Sequence, residues 1–189
     1  MISLPGVTFV IVENRWPERV KNFCDYIRRH VADAKISVKS DLPTVGDKSH
    51  YDRFCSIELH TVFDTPHALV CQLDGYPIHW SSWEDDFLNY DYIGAPWPQQ
   101  WVPEGCRVGN GGLSLRSRRL CLALSEQPWI PMPDDVFICQ HSAEQMRQKG
   151  MRYAPPDVAA RFSIEHPVPE SVAQPFGFHD VRFHPYPAL

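Results

Sequence analysis

The sequence predicts an α/β protein, a single domain with a largely parallel central sheet flanked by helices. Short apolar runs rich in β-branched residues alternate with amphipathic segments along the first part of the chain, and this alternation is typical of parallel sheets covered on both faces. The length of 189 residues is enough for one core but short for two. Apolar residues make up 43% and charged residues 22%, which excludes a disordered or fibrous protein.

The alternating elements can be assigned one by one. They are a strand at Val7–Val12, a helix from Pro17 to about Ala34, a strand at Lys35–Lys39, a helix from Tyr51 to about Val62 and a strand at Ala68–Leu73. The strands are apolar or alternating runs, and the helices repeat apolar residues every three or four positions. Further helices are predicted from Ser117 to Leu124 and from Pro131 onward.

Charge and cysteine content restrict the class of protein further. The net charge of −5 gives no general attraction to nucleic acid or to anionic membranes. The six cysteines are widely spaced and form no C-x-x-C pair, so we expect reduced, mostly buried thiols. The first residues lack a basic segment, and the apolar run Val7–Val12 is too short for a signal peptide or a membrane span. We therefore expect a cytoplasmic protein with no membrane span.

Candidate ligand-binding residues follow two of the predicted strands. Glu13, Asn14 and Arg15 come directly after the first strand, and Asp74 follows the third strand and precedes a glycine. In parallel sheets, ligands bind beyond the carboxyl ends of the strands. Because Mg and Mn prefer oxygen ligands and use few carboxylates, Asp74 is a candidate metal ligand. The alternative is an aspartate that only begins an Asp-Gly turn.

An acid pair, Asp134 and Asp135, follows Pro133 at a predicted helix start. Capping of the helix by Asp134 alone would explain one acid. The second carboxylate, Asp135, is a candidate general base that takes a proton from a hydroxyl acceptor. The residues alone leave open whether the pair only caps the helix or also serves catalysis.

Two more segments carry candidate site residues. Gly109, Asn110, Gly111 and Gly112 form a glycine-rich segment that permits positive φ and close approach of the backbone to a ligand, or forms a tight turn only. It matches neither nucleotide-binding glycine motif, and G-x-S-x-G of serine hydrolases is also lacking. His179 stands beside an aspartate and is either a metal ligand or a surface histidine.

Five sequence blocks then occur in one order, and together they carry a family resemblance. They are Tyr51-Asp52-Arg53, Gln72-Leu73-Asp74-Gly75, Tyr90–Trp97 (YDYIGAPW), Gly109–Ser117 (GNGGLSLRS) and Asp134–Phe137 (DDVF). From about Tyr51 to His179 the chain resembles a domain-of-unknown-function family of GT-A-type glycosyltransferase-like proteins, distantly similar to fringe-type glycosyltransferases. The resemblance implies a Rossmann-like fold, with residues 1–75 as the nucleotide-binding half and residues 76–189 as the acceptor and catalytic half.

The resemblance also implies roles for particular residues. It implies that Asp74 and His179 bind a divalent metal, Mn or Mg, at the diphosphate of a nucleotide-sugar donor. Gln72 stands where the wider superfamily often has a second acid. Asp135 would be the catalytic base of an inverting transfer. The donor would contact Glu13, Asn14 and Arg15 near the base and Gly109, Asn110, Gly111 and Gly112 near the sugar.

The sequence does not identify the acceptor. A glycan, a protein side chain, a small molecule and a hydroxymethylated DNA base all remain open, with Trp97 as a stacking residue and Arg116, in a cluster with Arg118 and Arg119, as a basic contact. Trp80, Trp83 and Trp101 could stack in the same way or belong to the core. Two other functions remain: a two-metal hydrolase that uses Asp74, Asp134, Asp135 and His179, and a catalytically silent sugar-nucleotide-binding module.

Overall fold

The computed structural model describes residues 1–43 and 48–180. Its elements in chain order are β1 (Val7–Val12), α1 (Pro17–His30), β2 (Lys35–Lys39), α2 (Ser49–Arg53), β3 (His67–Cys71), β4 (Gly75–Pro77), β5 (Tyr92–Ile93), β6 (Leu113–Ser117), α3 (Arg118–Ser125), α4 (Asp134–Val136), α5 (Ala143–Gln148), α6 (Pro156–Phe162), β7 (Ser163–Ile164) and β8 (Gly177–His179). A π-helical turn at Phe54–Glu58 and a 3-10 turn at Leu59–Val62 extend α2, and a π-helical turn at Phe137–His141 extends α4.

A mixed five-stranded sheet in the order β2-β1-β3-β6-β5 lies at the centre. β1 pairs in parallel with β2 and β3, whereas β6 is antiparallel to both β3 and β5. Four of these strands therefore run in one direction and β6 runs against them, which confirms the predicted α/β class. A second sheet in the order β4-β8-β7 packs beside the central one.

Several predicted helices have different bounds in the structure. α1 ends at His30 rather than Ala34 because Val31 takes extended geometry and the Ala32 N–H donates to the Ile2 carbonyl at 2.9 Å. The helix predicted from Tyr51 begins at Ser49. The helix predicted from Pro131 begins only at Asp134, because the backbone at Pro133 is extended.

The core confirms the prediction for the cysteines. All six are free thiols, and only Cys106 is less than fully buried. β1 and β3 are buried almost throughout, as expected for strands covered on both faces. Within residues 1–43 and 48–180, no helix is long and apolar enough to cross a membrane.

Candidate functional site

One edge of the central sheet collects most of the predicted site residues. β3 and β6 are antiparallel, so Cys71 at the carboxyl end of β3 lies opposite Leu113 at the start of β6. The Gln72 N–H donates to the Gly112 carbonyl at 2.9 Å, which joins the glycine segment to the end of β3. In the second sheet, Gly75 of β4 lies opposite His179 of β8. Asp74, Gly112 and His179 therefore meet at one edge.

A cleft of about 490 Å³ opens at the same edge, beyond β1 and β3. Glu13, Asn14, Arg15 and Asp74 all line it, so the structure brings these predicted ligand-facing residues together. Other lining side chains were not predicted from the sequence, namely Trp16, Arg19, Lys39, Lys48, Tyr51 and Gln72. The sequence did contain a signal for Trp16 and Arg19, because α1 begins directly after β1 and its first turn must face the carboxyl end of that strand.

Basic side chains dominate the wall of this cleft, and part of that charge is already balanced. The Arg15 guanidinium donates to both oxygens of Glu13 at 2.9 and 3.0 Å. Partial burial favours the neutral acid, but these bonds outweigh it and lower the pKa of Glu13. Lys39 pairs with Asp41 at 2.8 Å and Lys48 Nζ lies 3.9 Å from Asp52 Oδ1, whereas Arg19 is exposed at the rim. The cleft therefore favours an anionic ligand.

His179 is the centre of a polar network behind the inner end of the cleft, where Gln72 and Asp74 line the wall. Its Nδ1 lies 3.1 Å from Glu165 Oε1, and its Nε2 lies 3.2 Å from Gln72 Oε1 and 3.9 Å from Asp74 Oδ1. Burial opposes protonation of His179, but the hydrogen bond to Glu165 and the charges of Glu165, Asp74 and Asp135 outweigh it and raise the pKa of the imidazole. Glu165 was not predicted, since no sequence signal links it to His179.

The donor set of this network fits a divalent metal. An imidazole nitrogen, a carboxylate and an amide oxygen converge from His179, Asp74 and Gln72, and Mn or Mg accepts such ligands together with substrate phosphates. Glu165 holds the other imidazole nitrogen, as acids commonly do behind metal-binding histidines. No cluster of three or more His, Cys, Asp or Glu side chains suited to a metal occurs in the described residues, so the protein alone would supply few charged ligands.

The glycine segment approaches the protein's own side chains rather than open space. A Cβ on Gly111 would lie 2.6 Å from the Asp134 carboxylate, and a Cβ on Gly112 would overlap the His179 imidazole. The residue with positive φ is Asn110, at 66°, and its Oδ1 accepts the Gly112 N–H at 2.9 Å. Asn110 is fully buried, and its Nδ2 has no hydrogen-bond partner among the described residues, so its contact with donor hydroxyls stays a prediction. The glycines are required by packing inside the site.

The segment predicts a clear mutational effect. Gly112→Ala must displace the His179 imidazole because the new methyl group would overlap it. Gly6→Ala is the matched control, since its Cβ would meet nothing closer than 3.9 Å. We expect the His179 ring resonances to shift and the ring's titration to change in Gly112→Ala and to stay as in the wild type in Gly6→Ala. An unaltered His179 titration curve in Gly112→Ala, measured by NMR, would contradict the packing described here.

Asp134 does not cap a helix, and Arg116 does not face an acceptor. The Arg116 side chain is completely buried, and its Nη2 donates to Asp134 Oδ2 at 2.6 Å. Its Nε donates to the Ser114 hydroxyl and its Nη1 to the Cys55 carbonyl, both at 2.9 Å. The predictions of Asp134 as a helix cap and Arg116 as an acceptor contact are therefore wrong. A hydrolase with Asp134 as a metal ligand also loses support, because Arg116 already neutralises that carboxylate.

Asp135 lies next to this ion pair but forms no ion pair of its own within residues 1–43 and 48–180. Its Oδ1 accepts the Val136 N–H at 2.9 Å and its Oδ2 accepts the Gly111 N–H at 3.3 Å. Burial and the negative charges of Asp134 and Glu165 raise the pKa of Asp135 to about 6. A carboxylate with this pKa is suited to accept a proton near neutral pH. The two acids therefore lie in different environments: Asp134 is paired with Arg116, and Asp135 has a raised pKa.

The aromatic and basic residues predicted to contact the acceptor also have internal partners in the structure. Trp97 is only 8% exposed; it packs against Gly109 and donates from Nε1 to Glu165 Oε2 at 3.2 Å, so its face is not open for stacking. Arg118 donates to the carbonyls of His60 and Phe63, and Arg119 pairs with Asp91. The predicted basic cluster is therefore engaged in internal bonds.

Comparisons with known proteins agree with this fold. In solved structures, the fold is similar to that of a protein titled "Crystal structure of a glycosyltransferase involved in the glycosylation of the major capsid of PBCV-1", with a TM-score of 0.57, 14% identity and coverage of 91% of this chain and 92% of that chain. At this identity the likeness shows the fold alone. Comparison with curated proteins gives no match.

The family comparison concerns most of the chain. Residues 35–179 match the model of the family described as "Protein of unknown function (DUF5672)". The matched segment ends at His179 and begins before Tyr51, where the sequence blocks begin. This finding confirms the predicted membership of a domain-of-unknown-function family, and the structural likeness shows a fold similar to that of a glycosyltransferase, whereas the similarity to fringe-type enzymes stays a prediction. Because the match spans more than half of the sequence, the chain belongs to the DUF5672 family.

Proposed function

We propose that this protein is a glycosyltransferase that moves a sugar from a nucleotide-diphosphate donor to a hydroxyl acceptor. One observation carries the proposal: a cationic cleft, the Asp74 and His179 pair and the raised pKa of Asp135 occur at one edge of the sheet. A nucleotide-sugar transferase needs these three features, an anion-binding cleft, charge at the leaving diphosphate and a base at the acceptor. The likeness to a glycosyltransferase fold supports the same class.

The donor's nucleotide is assigned to the cleft beyond β1. Trp16 is 52% exposed there and offers an aromatic face to a base, while Arg19 and Lys48 offer positive charge to phosphates. The Glu13 and Arg15 pair is held in a fixed geometry by its two hydrogen bonds. Asn14 donates to the Leu42 carbonyl, which leaves its amide oxygen for a donor contact.

The diphosphate is assigned to the inner end of the cleft. Asp74 and His179 would hold a divalent metal there, with the Gln72 amide oxygen beside them, and such an ion would neutralise charge on the leaving diphosphate. Glu165 fixes the imidazole orientation through its 3.1 Å contact with Nδ1. The Gln72 amide is itself held by a 2.6 Å hydrogen bond to the Tyr51 hydroxyl. These residues are therefore arranged before any donor binds.

Asp135 is assigned as the base of an inverting transfer. The acceptor hydroxyl oxygen forms a bond to the anomeric carbon while the bond from that carbon to the diphosphate oxygen breaks. The hydroxyl proton moves to an Asp135 carboxylate oxygen, and the bonding electron pair leaves with the nucleoside diphosphate. The N–H groups of Gly111 and Val136 hold the carboxylate in place for this step.

Calorimetric titration of nucleoside diphosphates with and without Mn tests the donor assignment. We expect Asp74→Ala and His179→Ala each to weaken Mn-dependent binding by about tenfold or more, the range seen when a metal ligand or its support is lost. The matched control is Glu18→Ala, an exposed acid on α1 outside the cleft. Equal affinity of the wild type and Asp74→Ala would remove Asp74 from the donor site.

A further inference from the structure

Trp101 is the most exposed tryptophan of the described chain, with 59% of its surface open to solvent. It ends a 3-10 turn at Gln99–Trp101 that follows Pro98, and Pro103 comes two residues later. Pro98 and Pro103 restrict the backbone near this turn, and the indole contacts the His166 ring on one side. An exposed indole offers a ligand both an apolar face and an N–H donor.

A continuous series of contacts joins this ring to the site. The Trp101 and His166 rings lie edge to face with their centroids 4.7 Å apart. His166 Nε2 lies 3.8 Å from Glu165 Oε2, and Glu165 Oε1 lies 3.1 Å from His179 Nδ1. The negative charge of Glu165 also helps to raise the pKa of Asp135, which places both acids in one electrostatic environment. Trp101 therefore lies at the rim of the catalytic edge.

This rim lies apart from the nucleotide cleft. The cleft is lined by residues 12–16, 19, 39, 42, 43, 48, 51 and 72–74, whereas Trp101 and His166 belong to segments that lie on the Glu165 side of His179. The two most exposed tryptophans of the described chain, Trp16 and Trp101, thus belong to different parts of the site. One is available to the donor and the other to a second substrate.

The charge around Trp101 selects the class of that substrate. Glu104 follows in the same loop, and Glu165 and Glu170 lie on the facing segment. The nearby Arg107 is already bound to both oxygens of Glu170, at 2.7 and 3.0 Å, and Arg147 donates to the Gly105 carbonyl at 2.6 Å. A polyanion such as DNA needs cations that are available for its phosphates. An uncharged, hydroxyl-rich molecule with an apolar face meets no such requirement.

We propose that Trp101 is the platform on which a carbohydrate acceptor stacks, so that one of its hydroxyl groups reaches Asp135. The proposal rests on the proposed function and names its acceptor class. The C–H face of a pyranose ring packs on the indole face, and its hydroxyl groups bond to polar side chains at the rim. Of the acceptors left open by the sequence, a glycan fits this surface and a modified DNA base does not.

Saccharide titration followed by NMR tests the platform without any donor. The Trp101 indole N–H signal is identified by its loss in Trp101→Phe, and the probes are chitotriose, maltotriose, cellotriose and lactose at millimolar concentration. We expect at least one of them to shift the Trp101 signal in a saturable way and to leave the Trp16 signal in place. The absence of a saturable shift with all four saccharides would overturn the proposal.

Steady-state transfer to the saccharide that binds supplies a second readout. Trp101→Ala should raise the acceptor KM about tenfold with little change in the donor KM, and Trp101→Phe should restore part of the loss. The matched variant Trp16→Ala should raise the donor KM with little change in the acceptor KM. An acceptor KM in Trp101→Ala equal to that of the wild type overturns the platform. Transfer to hydroxymethylated DNA or to a protein hydroxyl, unaffected by Trp101→Ala, also overturns it. A wild-type protein that binds saccharide but no nucleotide sugar would instead refute the transferase.

Discussion

Asp135→Asn is expected to lower turnover by about 100-fold or more, the scale of a lost general base, while donor affinity stays that of the wild type. The amide is nearly isosteric with the carboxylate, and its single oxygen can still accept one of the two N–H groups, from Gly111 or Val136, that bond to separate oxygens of Asp135. Turnover and donor affinity are measured separately, by transfer assay and by calorimetry. Asp25→Asn, an exposed acid of α1, is the control.

The same variant should be more stable than the wild type at neutral pH. Because the folded-state pKa of Asp135 is raised to about 6 from 3.8, ionising this group disfavours the folded state, and stability falls as pH rises through the range between these values. Asp135→Asn removes that cost, which is of the order of 3 kcal/mol above pH 6. The gain should vanish below pH 4. Denaturant unfolding at pH 4 and pH 7.5 measures it.

The dependence of kcat/KM on pH gives a second test of the raised pKa of Asp135. The base acts when deprotonated, so kcat/KM of the wild type should fall as the pH drops through about 6. A variant with wild-type turnover, or a profile that is flat between pH 5 and 7.5, would show that Asp135 is not the base. A lower melting temperature in Asp135→Asn at neutral pH would mean that the carboxylate stabilises the fold.

Arg116→Met should destabilise the protein by about 3–5 kcal/mol, because it leaves the buried Asp134 carboxylate without its cation. Both side chains are almost fully inaccessible, at 0% and 4% exposure. The control is Arg28→Met, whose pair with Asp25 is exposed and should contribute less than about 1 kcal/mol. Thermal and denaturant unfolding measure both variants.

A second variant separates the lost charge pair from lost packing. Arg116→Met combined with Asp134→Leu removes both charges and should recover most of the stability, since a buried ion pair replaced by apolar side chains is often neutral. If Arg116→Met unfolds at the same denaturant concentration as Arg28→Met, the buried pair has no structural weight. If the double variant is no better than Arg116→Met, packing rather than charge explains the loss.

The sequence alone was sufficient to predict the edge of the sheet at which the candidate site lies. Apolar runs located β1 and β3, and the rule that ligands bind beyond strand ends placed Glu13 and Asp74 at one cleft. The second sheet could not be predicted, because β7 is two residues long and β4 and β8 are three. Strands this short carry no periodicity, yet they bring His179 to Asp74.

Pairings across long sequence separations explain the errors at the site. Arg116 was assigned to an acceptor from its arginine neighbours, but its partner Asp134 lies 18 residues away, and a composition-based argument cannot detect burial. The same holds for Trp97 and Trp101, which stand in one proline-rich segment. Glu165 and the glycine segment bury the first ring, while the turn after Pro98 exposes the second.

A thermal-shift panel of nucleotide sugars, each with and without Mn, tests the central claim most directly. Ligand at 100 times its Kd stabilises the native state by about 2.7 kcal/mol, which for a chain of this size corresponds to roughly 5–10 °C. We predict that at least one nucleotide-diphosphate sugar gives a shift of this size with Mn and a smaller one without it, and that Asp74→Ala loses the difference. No shift with any nucleotide sugar, in the presence or absence of Mn, would contradict the assignment of this protein as a glycosyltransferase.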